Sequence, residues 1–165
     1  METQEYKVEY QSFASVAELD GDDASLATKA VEAMKNAYAP YSGFAVGAAV
    51  RLDDGTVVTG ANQENLAYPS GLCAERTAVF AAGAQYPDRR ITGIAIAGGS
   101  GGVLSDIPVT PCGACRQVMS EMGRKFPSEV PAGKSGMTVI LVGARNVLKF
   151  GDAMDLLPFG FDSEL

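Results

Sequence analysis

The chain has 165 residues, 47% of them apolar, with 13 basic and 20 acidic side chains and a formal charge of −7. This length suits one domain with a real core. Acidity without a basic stripe argues against a nucleic-acid partner, the longest basic cluster being Arg124-Lys125 between Glu121 and Glu129. No stretch approaches the roughly 18 to 20 apolar residues of a membrane span. The opening Met1–Tyr6 has no apolar signal core, so the chain reads as cytoplasmic.

Residues 1–24 are polar and acidic, with a short strand at Tyr6–Phe13, and read as an N-terminal extension that forms an edge strand, an interface arm or a disordered segment. Ser25 stands as the N-cap of a helix over 26–38, in which Leu26, Ala30, Ala33, Met34 and Ala37 share one face, and Pro40 ends it. Phe44–Leu52 and Thr56–Asn62 read as a hairpin turning at Asp53-Asp54-Gly55. A helix is expected from Cys73 to Ala84, then an apolar strand at Ile91–Ala97 and a loose loop at Gly98–Gly102. No Lys-Ser/Thr helix follows that loop, so it is not a phosphate cradle. Cys112 and Cys115 open a further helix running to Arg124, and Lys125–Gly136 reads as a loop. Met137–Val142 and Val147–Phe150 are the last strands, followed by the apolar tail Leu156–Phe161. Strands alternating with helices after a hairpin indicate a mixed α/β sandwich.

The chain has three cysteines and no histidine. An odd number of cysteines does not make a secreted disulfide frame, and a reducing compartment would keep the thiols free for metal. Cys112 and Cys115 lie three apart at a helix start, which puts both sulfurs on one side. A lone Cys-x-x-Cys also fits a structural zinc pair, a redox motif or buried apolar thiols. Cys73, followed by Ala74 and Glu75, changes the balance. Three thiolates leave one position of a tetrahedral Zn²⁺ open for water, and Glu75 stands beside them as a proton carrier. Three thiolates on Zn²⁺ carry a net charge of −1, so helix N-termini and the adjacent Arg76 and Arg116 are expected to offset it, the arginines by donating to sulfur.

Five motifs come in order. They are Tyr38-Ala39-Pro40-Tyr41-Ser42-Gly43-Phe44, Val46-Gly47-Ala48-Ala49, Gly60-Ala61-Asn62-Gln63-Glu64-Asn65, Cys73-Ala74-Glu75-Arg76-Thr77-Ala78 and Pro111-Cys112-Gly113-Ala114-Cys115-Arg116-Gln117-Val118. Together they resemble the small, homotetrameric class of cytidine deaminases, over about Ser25–Phe161. The resemblance implies a three-layer α/β/α sandwich with a central mixed β-sheet, as one catalytic domain over 25–165. It implies hydrolytic deamination of cytidine and 2′-deoxycytidine, in pyrimidine salvage, with one Zn²⁺ per subunit on Cys73, Cys112 and Cys115. Glu75 would carry protons between water, ring N3 and departing ammonia. The backbone at Ala74 would read the ring edge, Phe44 would pack on the pyrimidine, and Asn62 and Glu64 would hold the ribose. Phe161 would reach a neighbour's site in a homotetramer. The plainer alternatives are a core Phe44, an Asn62 serving only its turn, a solvated Glu64 and a Phe161 that docks the terminus. A nucleoside is then the small-molecule partner, with no nucleic acid and no membrane. Relatives acting on another aminopyrimidine, or a non-enzymatic zinc protein of the same fold, are the rival readings.

Overall fold

Six strands form one mixed sheet in the order β1-β6-β5-β4-β2-β3, in a computed structural model that describes residues 1–161. The strands are β1 (Tyr10–Phe13), β2 (Phe44–Leu52), β3 (Val57–Ala61), β4 (Ile91–Ser100), β5 (Thr138–Val142) and β6 (Val147–Phe150). Only β4 and β5 pair in parallel; every other neighbouring pair is antiparallel. The helices are α1 (Gly21–Ala33), α2 (Ala74–Gln85) and α3 (Gly113–Gly123). Residues 162–165 of the expected catalytic domain lie outside the described residues.

Alternation along the strands divides the core in two. Ala48, Val50, Ile94, Ile96, Val139 and Leu141 face α2 and α3. Ala49, Ala95, Ala97, Ile140 and Val142 face α1. The result is the expected three-layer α/β/α sandwich. Each fully buried Ile or Leu contributes on the order of 1.5–3 kcal/mol. The α1 face is built largely of alanine, so α1 lies close to the sheet. At Gly47 a Cβ would stand 2.2 Å from the Ala30 carbonyl oxygen.

The hairpin β2–β3 and strand β6 follow the sequence reading closely, and Gly55 makes the turn with φ 85°. Helix α1 differs at both ends. Its N-cap is Asp20, whose carboxylate accepts from the Asp23 N–H at 3.0 Å, so Ser25 lies inside the helix. Asp22 and Asp23 in the first turn suit the positive end of the helix. The helix gives way to a 3-10 turn at Met34–Asn36. Tyr38 is held elsewhere: its N–H donates to the Asn62 carbonyl and its carbonyl accepts from the Glu64 N–H. That bridge to the end of β3 stops the helix before Pro40.

Strand β1 is shorter than the sequence reading because its partner β6 offers only four residues. It forms one edge of the sheet. Strand β4 runs three residues further than expected, through Gly98 and Gly99 to Ser100, paired with Phe44–Val46. A Cβ on Gly99 would stand 1.8 Å from the Val103 carbonyl oxygen, so glycine there serves close backbone packing within a strand rather than a loose loop.

Candidate active site

Strands β3 and β4 both run antiparallel to β2, so they point the same way, and Ala61 and Ala97 lie level across Gly47. The chain leaving each strand therefore emerges at one end of the sheet, where the next helix begins. Cys73 is the N-cap of α2 and Cys112 the N-cap of α3. Gly60 lets α2 approach: a Cβ there would lie 2.4 Å from the Ala78 nitrogen and 2.8 Å from the Ala74 carbonyl oxygen.

This geometry gathers the three cysteines although 39 residues separate Cys73 from Cys112. The Cys73 and Cys112 sulfurs are 3.9 Å apart, the Cys112 and Cys115 sulfurs 3.5 Å, and all three lie within 4.8 Å of one another. No other group of three or more possible metal ligands forms among the described residues. Cys115 is buried, Cys73 half-buried and Cys112 exposed. Neither N-cap cysteine uses its side chain to cap its helix, so the first-turn N–H groups, Ala74 among them, keep their positive potential at the site. An S₃ donor set with thiolate ligands at two helix N-termini fits a zinc ion, with a fourth position left for water.

The Cys73 thiol is pulled below its ordinary range because the Cys115 thiol donates to it; Arg76 and Cys112 act in the same direction. That same bond and burial push the Cys115 thiol up. The Nη2 of Arg76 lies 3.5 Å from the Cys73 sulfur, while its Nε is buried without a partner. Glu75, in the first turn of α2, is 4% exposed, and burial pushes its carboxyl up. Arg116 differs from expectation. Its Nε donates to the Pro111 carbonyl at 2.8 Å and its Nη1 to the Leu156 carbonyl at 2.9 Å, not to a sulfur.

A cleft of about 520 Å³ opens beside Cys73 and Arg76, and Asn62 and Glu64 line it. The Asn62 amide is tied to β2: its oxygen accepts from the Val46 N–H at 2.8 Å and its nitrogen donates to the Phe44 carbonyl at 2.9 Å. Glu64 accepts from the N–H groups of Tyr41 and Ser42 and from the Ser42 hydroxyl. The Ser42 hydroxyl bond leads in holding its carboxyl below the usual range. Phe44 lies on the α2/α3 face of the sheet, its ring against Gly98, and does not line the cleft. Phe161 does not line it either and is 80% exposed, its carbonyl accepting from Gln117. The sequence reading assigns no role in the site to Tyr41, Ser42 or Tyr68. Tyr41 and Tyr68 meet edge to face, with ring centroids 6.3 Å apart, at the mouth of the cleft. The motif Tyr41-Ser42-Gly43 was the available signal for the first two.

Comparisons with known proteins agree with this geometry. The family model for the cytidine and deoxycytidylate deaminase zinc-binding region matches residues 21–128. A cytidine deaminase of Halalkalibacterium halodurans is 48% identical over 103 residues, 61% of this chain and 72% of that protein. One from Sporosarcina psychrophila is 36% identical over 143 residues, 87% of this chain and 93% of that protein. The crystal structure of cytidine deaminase from Burkholderia pseudomallei superposes with a TM-score of 0.68 at 40% identity, covering 83% of this chain and 97% of that one. With three thiols gathered at two helix ends beside a buried glutamate, and with a matched region that spans both cysteine motifs, the chain belongs to the cytidine and deoxycytidylate deaminase family.

Proposed function

We propose that this protein hydrolyses cytidine and 2′-deoxycytidine to uridine and 2′-deoxyuridine, releasing ammonia, in pyrimidine salvage. The observation that carries the reading is the Cys73, Cys112 and Cys115 cluster, with buried Glu75 beside it, at the edge of a nucleoside-sized cleft. Cys73, Cys112 and Cys115 hold the zinc. When bound, zinc supplies the Lewis acidity that makes water a nucleophile at neutral pH.

The chain's own groups do the rest. Glu75 takes a proton from the attacking water, delivers it to N3 of the ring, and later assists the departing amino group at C4. Its buried position favours the neutral acid once a proton has been taken, which suits a group that must give the proton up again. Arg76 offsets the negative charge of three thiolates through its contact with Cys73. The first-turn N–H groups around Ala74 supply donors for the ring edge.

Asn62 and Glu64 hold the ribose. Asn62 spends one of its two amide hydrogens on Phe44, and Glu64 uses three of its roughly four acceptor positions. Each keeps a valence for a sugar hydroxyl while its other bonds fix its orientation. Phe44 lies outside the cleft, with its ring against Gly98 on the sheet face that carries α2 and α3, and its packing on the pyrimidine belongs to this proposal. The exposed Leu66, Tyr68 and Phe161 support a homotetramer in which neighbours cover the cleft and Phe161 enters a site other than its own. No helix among the described residues is long and apolar enough to cross a membrane. The three reduced thiols that zinc requires support a cytoplasmic setting, and a charge of −7 supports a free nucleoside rather than a polynucleotide substrate.

The test is the fall in cytidine absorbance on deamination by zinc-loaded protein. Native protein should turn over both nucleosides. Glu75→Gln should lose about 10²- to 10⁴-fold in kcat, the range for positioned general acid–base groups, with its zinc content unchanged. Native protein that leaves both nucleosides untouched would remove the substrate reading, and full activity in the variant would remove the role of Glu75.

A further inference from the structure

Arg116 follows the last cysteine of the cluster and makes two hydrogen bonds to main-chain carbonyls far apart in sequence. Its Nε reaches the Pro111 carbonyl at 2.8 Å, and its Nη1 reaches the Leu156 carbonyl at 2.9 Å. Pro111 is buried and is bonded directly to Cys112. The position of its carbonyl therefore sets the direction from which the chain enters the Cys112–Cys115 turn.

The Leu156 end is itself anchored. Leu156 closes the 3-10 turn Ala153–Leu156, and Asp152 caps that turn by accepting from the Met154 N–H at 2.9 Å. The Asp152 carboxylate is 5% exposed and also accepts from the Ser135 N–H and hydroxyl and from the Gly136 N–H. One residue beyond Arg116, Gln117 donates to the Phe161 carbonyl at 2.8 Å. Neighbouring side chains of α3 thus grip the C-terminal segment at two places.

We propose that Arg116 is a positioning residue that ties the Cys112–Cys115 metal-binding turn to the C-terminal segment by bridging the Pro111 and Leu156 carbonyls, so that zinc retention depends on that segment. The proposal rests on the three cysteines holding zinc. A planar guanidinium presents donors at fixed angles and can span two acceptors at once, whereas a lysine ammonium is a point charge on a flexible stem. Arg116→Lys therefore keeps the charge and removes the bridge. Gln117→Ala releases only the Phe161 carbonyl and serves as the comparison.

Four quantities are measured on the full chain: zinc release to a chromogenic chelator, the thiolate-to-cobalt absorption bands after Co²⁺ substitution, thermal unfolding of the metal-free protein, and amide exchange with and without zinc. Groups that orient metal ligands typically change affinity by 10- to 100-fold, so Arg116→Lys should release zinc about tenfold faster. It should also shift the cobalt bands, while its metal-free unfolding stays near native. Gln117→Ala should leave the bands in place. Linkage is reciprocal, so removing zinc from the native protein should speed amide exchange over residues 153–157, and Arg116→Lys should lose most of that response. The exchange arm needs no variant, so it decides the matter even if Arg116→Lys fails to fold. Release by Arg116→Lys within about twofold of native, with unchanged cobalt bands, would overturn the proposal, being far below the effect of an orienting group. So would native exchange over 153–157 that ignores zinc. A native protein that binds no zinc at all would overturn the metal reading together with it.

Discussion

Asp23 shows how far one side chain reaches in this protein. It is buried in the first turn of α1, with its carboxylate 2.9 Å from Arg51 of β2 and 2.6 Å from Lys149 of β6. Burial alone would raise its pKa, but the hydrogen bonds from Lys149 and Arg51 outweigh burial and hold it below the usual aspartate range. A carboxyl with a depressed folded pKa contributes stability that is fully present above the unfolded value and is lost as pH falls through the folded one. Asp23→Asn should therefore cost about 2 to 3 kcal/mol at pH 7, less than for a fully buried pair because both cations are partly exposed. The gap to native should hold down to about pH 4 and close below it, toward and through the depressed folded pKa. Thermal unfolding of the metal-free forms at a series of pH values checks this, and a gap that does not change with pH would contradict it. The composition revealed nothing of this triad, because its members come from three elements. The three-cysteine cluster and the buried Glu75 beside it were legible by contrast, since two short local patterns hold all four residues and helix N-termini place the sulfurs. Arg116 was legible as a neighbour of the metal but not in its bonding, because its acceptor at Leu156 lies 40 residues away.

Between elements, glycine sets the distances. Gly60 of β3 faces the first turns of α2 with no room for a Cβ. Gly60→Ala should push α2, and Cys73 with it, away from the sheet. The expected result is a loss of about 2 to 3 kcal/mol in stability, typical of overpacking, together with faster zinc release to a chelator. Gly21, at the start of α1, has nothing within 4 Å of its Cβ position, so Gly21→Ala should stay within about 0.5 kcal/mol of native. Equal effects of the two substitutions would contradict this account. Elements with strong local patterns, β2, β6 and the body of α2, were legible in the sequence. The ends of α1 and β4 were not. Tyr38 leaves the helix for a bridge to Gln63, and Gly98 and Gly99 stay in the strand because β2 pairs with them.

At the scale of the molecule, the open side of the cleft is the feature with consequences. Tyr41 and Tyr68 line it and stand exposed, and Leu66 and Phe161 are exposed elsewhere on the surface. In the proposed homotetramer these surfaces are covered and Phe161 acts in a neighbouring site. Phe161→Ala should then raise KM more than it lowers kcat. Mixed assemblies of Phe161→Ala and Glu75→Gln chains should regain activity in about a quarter of their sites, where an intact Glu75 meets a neighbour's intact Phe161. Assays of each variant alone and of the reassembled mixture check this. A mixture no more active than its parts would place Phe161 in its own site or outside any site. Tyr6 packs against Phe159 with ring centroids 6.1 Å apart, so the N-terminal extension also touches the segment that carries Phe161.

The sequence by itself determined the α/β class and the three-thiol donor set, which depend on local periodicity, on which residue types are present, and on short spacings that helix geometry converts directly into proximity. The reaction chemistry came with the resemblance that its five motifs carry. Only the tertiary structure decided which carbonyls Arg116 bridges, where α1 stops, how the Asn62 and Glu64 side chains are held and which aromatics ring the cleft. Each of those depends on contacts between residues far apart in the chain. Such contacts are set by sheet order and by the few ångströms of approach that glycines allow, and neither leaves a periodic trace in the sequence.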